Sequence, residues 1–266
     1  MGSRTSDSPD TNTERPLLRG TRVDEEDDET EYREAPRLGR RESEPHSFEI
    51  TYLYDVLTTN FPDDHVLWDL HHYFTVNEGQ TEIDIQFDIS YFRNFKIPTF
   101  QPSYRASNHQ NRVPTLAINI LSRSTLYKDL SINIERCKVI GIPFYVLFNP
   151  YMTQPNEYKA PFLRVYHLAS ETQIPVYTDI REAAIMENNS ATLNPNHFVD
   201  LGEELPFKLG IMKTDRKYAD GVPVYHIIMV DKNTGERYLT LVEQERQRAE
   251  KAEEEIRKLK GLLNRK

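Results

Sequence analysis

The 266-residue chain has a single cysteine, Cys137, which rules out a disulfide scaffold and a zinc ribbon. No run approaches the ~18 apolar residues that a membrane span needs, which excludes an integral membrane protein. No apolar segment follows the first Met as a secretory h-region would, so a cytoplasmic protein is expected. Positive charge is also scarce. There are 33 Lys+Arg against 42 Asp+Glu, a net charge of -9. That balance argues against a surface coated in basic side chains for nucleic acid, while leaving a local groove open. Hydrophobic residues make up 38%, with a mean hydropathy of -0.68, which is low for a chain compact throughout.

The charge is unevenly spread. Residues 1–46 carry 13 acidic and 8 basic side chains, and residues 237–266 carry 6 acidic and 9 basic. The middle, 47–236, holds 23 acidic and 16 basic. The first 46 residues have few core-forming side chains and include the self-repelling run Asp24 to Glu29. Such a segment cannot bury enough apolar surface to offset chain entropy, so 1–46 reads as a disordered acidic tail. A solvated tail is the simpler reading; an acidic mimic of nucleic acid is the sharper one.

In the middle, Phe48, Tyr52, Leu53, Val56 and Leu57 recur at helical spacing until Pro62 interrupts them. A second apolar stretch runs from Val66 to Phe74 and ends at the turn signal Asn77-Glu78-Gly79. Ile83, Ile85, Phe87 and Ile89 then alternate with Glu82, Asp84, Gln86, Asp88 and Ser90, the period of a strand with one buried face. Residues 115–121 are apolar on both faces except at Asn119, as in a central strand. A helix follows from about Leu130 to Ile140, closed by Gly141, and then a strand from Phe144 to Phe148. That strand–helix–strand run predicts a right-handed crossover between parallel strands. Phe162 to Leu168 and Val222 to Val230 read as further strands with hairpin-like links. The expected architecture is α/β, a mixed central sheet flanked by helices, over 47–236. From 237 to 266 the chain reads as a charged amphipathic helix. Val242, Ala249, Ala252, Ile256, Leu259 and Leu263 fall at alternating spacings of three and four, with Glu245 breaking the seam. Such a helix pairs in a coiled coil, giving a homo-oligomer, or lies on the domain; small Ala at two seam positions makes the coiled coil weak.

The stretch Pro114 to Thr125, then Lys128-Asp129-Leu130, Gly141 to Tyr145 and Asn149-Pro150-Tyr151 resembles the putative restriction endonuclease family, a bacterial branch of the PD-(D/E)XK nuclease superfamily. The resemblance covers roughly 48 to 263. It implies a restriction-endonuclease-like sheet and Mg²⁺-dependent hydrolysis of DNA phosphodiesters. In that chemistry an Asp and a Glu hold the metal, which activates a water, and a Lys steadies the developing charge. Matched residue by residue, the Asp is Asp88, with Asp84 on the same strand face as a further metal candidate. The Glu position holds Asn119, the Lys position holds Asn133 and the Asp of the Asp-Pro turn holds Asn149. Asn119 brings a neutral carbonyl where the metal wants a charge, and Asn133 supplies no cation. The resemblance therefore implies a degenerate copy that binds Mg²⁺ poorly and cleaves DNA slowly or not at all. The acidity of the middle segment argues the same way.

Three readings follow: a nuclease fold with activity weakened or lost, a non-catalytic assembly module, and an active enzyme with a migrated site. Other residues carry less. His71 and His72 are taken as helix-face histidines, since adjacent side chains diverge and no further ligand spacing follows. Cys137 is expected to be a buried small hydrophobe. Ser122 and Ser124 lack a nucleophile elbow and fit a turn or cap. Tyr91, Phe92, Phe95 and Phe100, interleaved with Arg93, Lys96 and Arg105, fit a loop folded on the core or a single-strand platform.

Overall fold

In the computed structural model, apolar periodicity sets where each element packs. Residues 43–76, 80–153, 155–168 and 198–264 are described, with the backbone of 176–180 and 185–186; all belong to the compact unit Glu42–Lys266. The expected tail lies outside the described residues up to 42. The boundary at 46 moves inward, because helix α1 (Glu44–Asn60) already includes Pro45 and His46.

A seven-stranded sheet is built from β1 (His65–Val76), β2 (Thr81–Phe92), β3 (Tyr104–Arg105), β4 (Leu116–Ile120), β5 (Phe144–Asn149), β6 (Phe162–His167) and β7 (Val176–Ile180), in the order β3-β1-β2-β4-β5-β6-β7. β4 and β5 pair in parallel, and β2–β4, β5–β6 and β6–β7 are antiparallel, so the sheet is mixed as expected. The crossover between β4 and β5 carries helix α2 (Asn133–Ile140), reached through a wide π-helical turn, Lys128–Ile132. Gly141 ends α2 with φ 87°, a left-handed backbone that glycine adopts without a Cβ clash, and its N–H returns to Cys137 O.

A smaller sheet, absent from the sequence reading except for its last strand, is made by β8 (Ile185–Met186), β9 (Val199–Asp200), β10 (Phe207–Lys217) and β11 (Pro223–Asp231). With α1 it covers one face of the large sheet. Leu53, Val56 and Leu57 of α1 meet Ile118 and Ile120 of β4, Val146 and Phe148 of β5, and Leu209 and Ile227 of the small sheet in one core. Each such fully buried aliphatic side chain contributes about 1.5–3 kcal/mol. A buried polar link ties α1 to β11: Glu49 Oε1 accepts from Ile227 N at 2.8 Å and its Oε2 lies 2.5 Å from His226 Nδ1. The opposite face packs under α2, where Ile134 and Cys137 meet Phe87, Ala117, Tyr145 and Leu147.

Two strand expectations need correction. The stretch 65–76 is strand β1, so His71 and His72 are not on a helix face. His72 is buried, while His71 is exposed. The Leu70 carbonyl, 2.7 Å away, fixes the His72 proton on Nδ1, so its Nε2 accepts from Ser90 Oγ at 2.8 Å. Second, Ile85, Phe87 and Ile89 do not share a face. Ile85 and Phe87 pack under α2, whereas Ile89 packs under α1. The pleat reverses at Asp88 and its neighbour Asp69, which drops out of the β1–β2 ladder with φ 46°. The last helix, α3 (Leu241–Leu263), starts with a capping box between Thr240 and Glu243, and none of its residues is buried.

Candidate functional site

The β2–β4 ladder runs through Tyr91–Leu116, Ser90–Ala117 and Ile89–Ile118 and then stops. Past that point side chains replace backbone pairing. Ile120 N donates to Asp88 Oδ2 at 2.6 Å, and Asp88 N donates to Asn119 Oδ1 at 3.3 Å. The fork between the strands thus holds Asp88 and Asn119 side by side, for the same reason that the pleat fails there. α1 contributes His46, whose Nε2 lies 3.1 Å from Asp88 Oδ2.

The helix side of the fork is supplied by Asp129 and Asn133, four residues apart and both facing inward off the π turn. Asp129 Oδ1 accepts from Asn119 Nδ2 and from Asn133 Nδ2, each at 2.8 Å. Burial pushes the Asp129 carboxyl above the ordinary carboxylate range. Hydrogen bonds from Thr125, Asn119 and Asn133 oppose that rise, and the nearby charge of Asp88 adds to it. Tyr145 lies against the cluster, its hydroxyl held protonated by burial.

Asp88, Asn119 and Asn133, singled out by resemblance, therefore meet in one hydrogen-bonded cluster. Asp84 does not join them. It is half exposed and pairs with His71 at 2.8 Å. Asn149 serves as a turn builder, with Nδ2 donating to Met152 O and Tyr158 O and Oδ1 accepting from Met152 N at 2.8 Å. Asp129 and His46 were missed as site residues. In the sequence Asp129 stands out only as a motif position, and His46 falls at the edge of the acidic tail. The available signal for Asp129 was its i,i+4 spacing to Asn133.

The donors do not fit the Mg²⁺ that the resemblance implies. A hard cation wants charged oxygens free to turn toward it. Here Asp88 Oδ2 is engaged by Ile120 N, Asp129 Oδ1 is shared by two amides, and Asn119 is neutral. Among the described residues no three His, Cys, Asp or Glu side chains converge as a set that could hold a metal ion.

The remaining candidates fall to structural roles. Cys137 is buried and its thiol is pushed well up by desolvation, so it is no nucleophile. Ser122 Oγ accepts from Thr125 N at 3.3 Å, capping the turn before α2. Tyr91 and Phe92 are buried and Phe95 packs on the core, while Phe100 is exposed. Arg93 donates to the carbonyls of Glu203 and Glu204, and Lys96 to those of Pro62 and Asp64. Arg93 and Lys96 thus tie neighbouring loops, while Tyr91 and Phe92 close strand β2 and do not belong to a loop. Among the described residues no helix is long and apolar enough to cross a membrane.

No family model matches the chain, and no curated protein matches it. Among solved structures that match is the crystal structure of a putative nuclease belonging to DUF820 from Anabaena variabilis. It has 16% sequence identity and a TM-score of 0.37, covering 60% of this chain and 78% of that one.

Proposed function

We propose that this chain is a nuclease-type scaffold whose hydrolytic site has been rebuilt as a buried amide–carboxylate network, leaving a protein impaired in phosphodiester cleavage or devoid of it. The observation that carries this reading is the pair of 2.8 Å bonds from Asn119 and Asn133 to one oxygen of Asp129. A working site of the implied kind would place a carboxylate at 119 and an ammonium at 133. A carboxylate at 119 would face Asp88 and the buried Asp129, a like-charge arrangement that needs a metal to hold it together. With Asn at both positions the cluster satisfies Asp129 from within and presents neither a charged ligand set nor a cation. The resemblance from Pro114 to Pro150 supports the nuclease descent, as does the nearness of Asp88 on β2 to Asn119 on β4, with Asn133 on α2 bonded to the same Asp129 oxygen as Asn119. DNA would then be an ancestral substrate rather than a current one, in keeping with the acidic middle of the chain.

The test is nicking of supercoiled plasmid DNA with Mg²⁺ or Mn²⁺. The wild type is expected to show no metal-dependent nicking. Wild-type nicking as fast as that of an Asn119→Glu, Asn133→Lys double variant, and abolished by Asp88→Ala, would overturn the proposal. Asn119→Glu combined with Asn133→Lys should introduce nicking, because both positions already lie within hydrogen-bond reach of Asp129 and Asn119 also bonds to Asp88 N. Failure of this double variant to nick or to bind Mn²⁺, while still folded, would show that the match to the family positions is wrong.

A further inference from the structure

Helix α3 breaks the usual rule of burial. It is 23 residues long, about 34 Å at 1.5 Å per residue, and only its first turn is tied down. Arg237 pairs with Glu243 at 2.8 Å and Gln244 reaches Asn60 at 3.1 Å. Beyond that turn the apolar residues stand in water: Ile256 is 51% exposed, Leu259 61% and Leu263 72%. They lie on the seam of the three-and-four repeat, which places them on one stripe. A helix that was merely a solvated extension would not need that stripe.

The charges beside the seam say what covers it. With Val242, Ala249, Ile256 and Leu263 at the first seam position and Glu245, Ala252 and Leu259 at the second, the flanking positions hold Arg248 and Glu255 on one side. The other side holds Arg246, Glu253 and Lys260. In a parallel, in-register pair each flanking residue meets the residue five further along the other helix. Arg248 then meets the partner's Glu253, and Glu255 meets the partner's Lys260, both attractive. In the antiparallel pair that superposes Ile256 on Ala252, Glu253 meets the partner's Glu253, Glu255 the partner's Glu255 and Arg246 the partner's Lys260. All three contacts are repulsive. Antiparallel registers one heptad away remove that repulsion, but one sets Ile256 against Glu245 and leaves Leu263 without a seam partner, and the other leaves Val242 and Ala249 unpaired, whereas the parallel pair uses every seam layer. The one polar seam residue is also accommodated, since Arg248 of the same helix lies 2.5 Å from Glu245. The ion pairs Arg246–Glu250 and Lys258–Glu254 lie along the flanks and leave the apolar stripe open.

We infer that α3 is a dimerisation helix, and that its occupant is the α3 of a second copy of this chain, parallel and in register. The distal half, Ile256 to Leu263, supplies the apolar contact, and the full set of seam layers together with the flanking charges supplies the orientation. The inference is independent of the catalytic reading, since no residue of α3 touches the Asp88 cluster.

Sedimentation equilibrium of the full chain should give about twice the 31.2 kDa monomer mass. Ile256→Asp with Leu259→Asp should return it to the monomer mass, with the domain's thermal unfolding unchanged because both sites are exposed. Arg248→Glu should weaken association, and adding Glu253→Arg should restore it. A stabilising role within one chain would not produce that rescue. Leu263→Cys should form a disulfide-linked dimer on mild oxidation, while Cys137 stays buried. A monomeric mass at every concentration reached overturns the proposal. So does a dimer that survives the double Asp variant, or one in which Leu263→Cys fails to cross-link.

Discussion

The Asp88 fork and helix α3 offend against ordinary burial in opposite directions. The fork puts a carboxylate and two amides where the chain is mostly apolar, with Asp129 2% and Asn133 1% exposed. Helix α3 puts leucine and isoleucine where the chain is mostly water. The fork resolves most of its difficulty internally, since each buried amide N–H donates to the Asp129 carboxylate at 2.8 Å, while Asn133 Oδ1 stays buried without a hydrogen bond. The helix has no such internal answer, because its seam lies beyond the reach of the domain. A polar cluster bonded within itself at all but one oxygen leaves little over, and an uncovered apolar stripe asks for a partner. The chemistry-bearing motif is therefore the region with less left to do, and the plain charged helix has more.

Breaking the fork should have the largest effect. Asp129→Ala leaves two buried amide groups without an acceptor, at a cost of about 3 kcal/mol in denaturant unfolding. Asp129→Asn keeps an acceptor and should cost much less. It should also change how stability depends on pH. Because the folded Asp129 carboxyl is raised, the folded chain holds its proton more readily than the unfolded chain. Its contribution is then greatest in acid and declines as pH rises through the carboxylate range to the raised value. The Asn variant should lack that decline. Equal losses for Ala and Asn would break the comparison, for the carboxylate would then not be the acceptor that matters.

The second effect sets another buried polar residue against the fork, with the opposite sign. Burial holds the His72 imidazole down to about 3 from an ordinary 6.5. Between those values the unfolded chain takes up a proton that the folded chain refuses. Stability from this source is fully present above 6.5 and falls as pH drops toward 3. Unfolding midpoints measured from pH 7 to pH 4 should fall more steeply in the wild type than in His72→Asn. Parallel slopes would mean that the imidazole is not shut away from water.

The smallest effect lies at the helix. Thr240→Ala removes the capping-box acceptor for Glu243 N and should cost about 1 kcal/mol of α3 stability. It should be read as a loss of helical circular dichroism at moderate temperature, with the core transition unmoved. If the core transition moves with it, α3 is not the separate element described here.

Much of the fold was legible. β4, α2 and β5 stood in the sequence because two apolar runs flank a helical pattern ending at a glycine, and local periodicity survives folding. β10 was missed although Phe207, Leu209 and Ile211 alternate into the core. The polar tail of that strand, Lys213 to Lys217, hid its apolar start. β1 was misread at His71 and His72, because one histidine of the pair is buried and the other is not, a distinction that only the neighbouring strands make. The face switch at Asp88 was not legible either. A period of two predicts that Ile85 and Ile89 share a side, and it takes Asp69, on another strand, to break the pleat.

At the site, the sequence singled out Asp88, Asn119 and Asn133 through resemblance to a motif; the crossover brings Asn119 and Asn133 together, and the β2–β4 pairing brings Asp88 to them. It could not show that Asp129 is the acceptor that joins the two amides, nor that His46 comes from α1 to meet Asp88. By itself the sequence determined α1, β4, α2, β5, the parallel crossover and the seam of α3, all products of periodicity along the chain. Tertiary structure alone decided which carboxylate is engaged, which histidine is dry and which apolar stripe is left uncovered. Hydrogen bonding and desolvation depend on what stands within a few ångströms, and those neighbours are mostly far away in sequence.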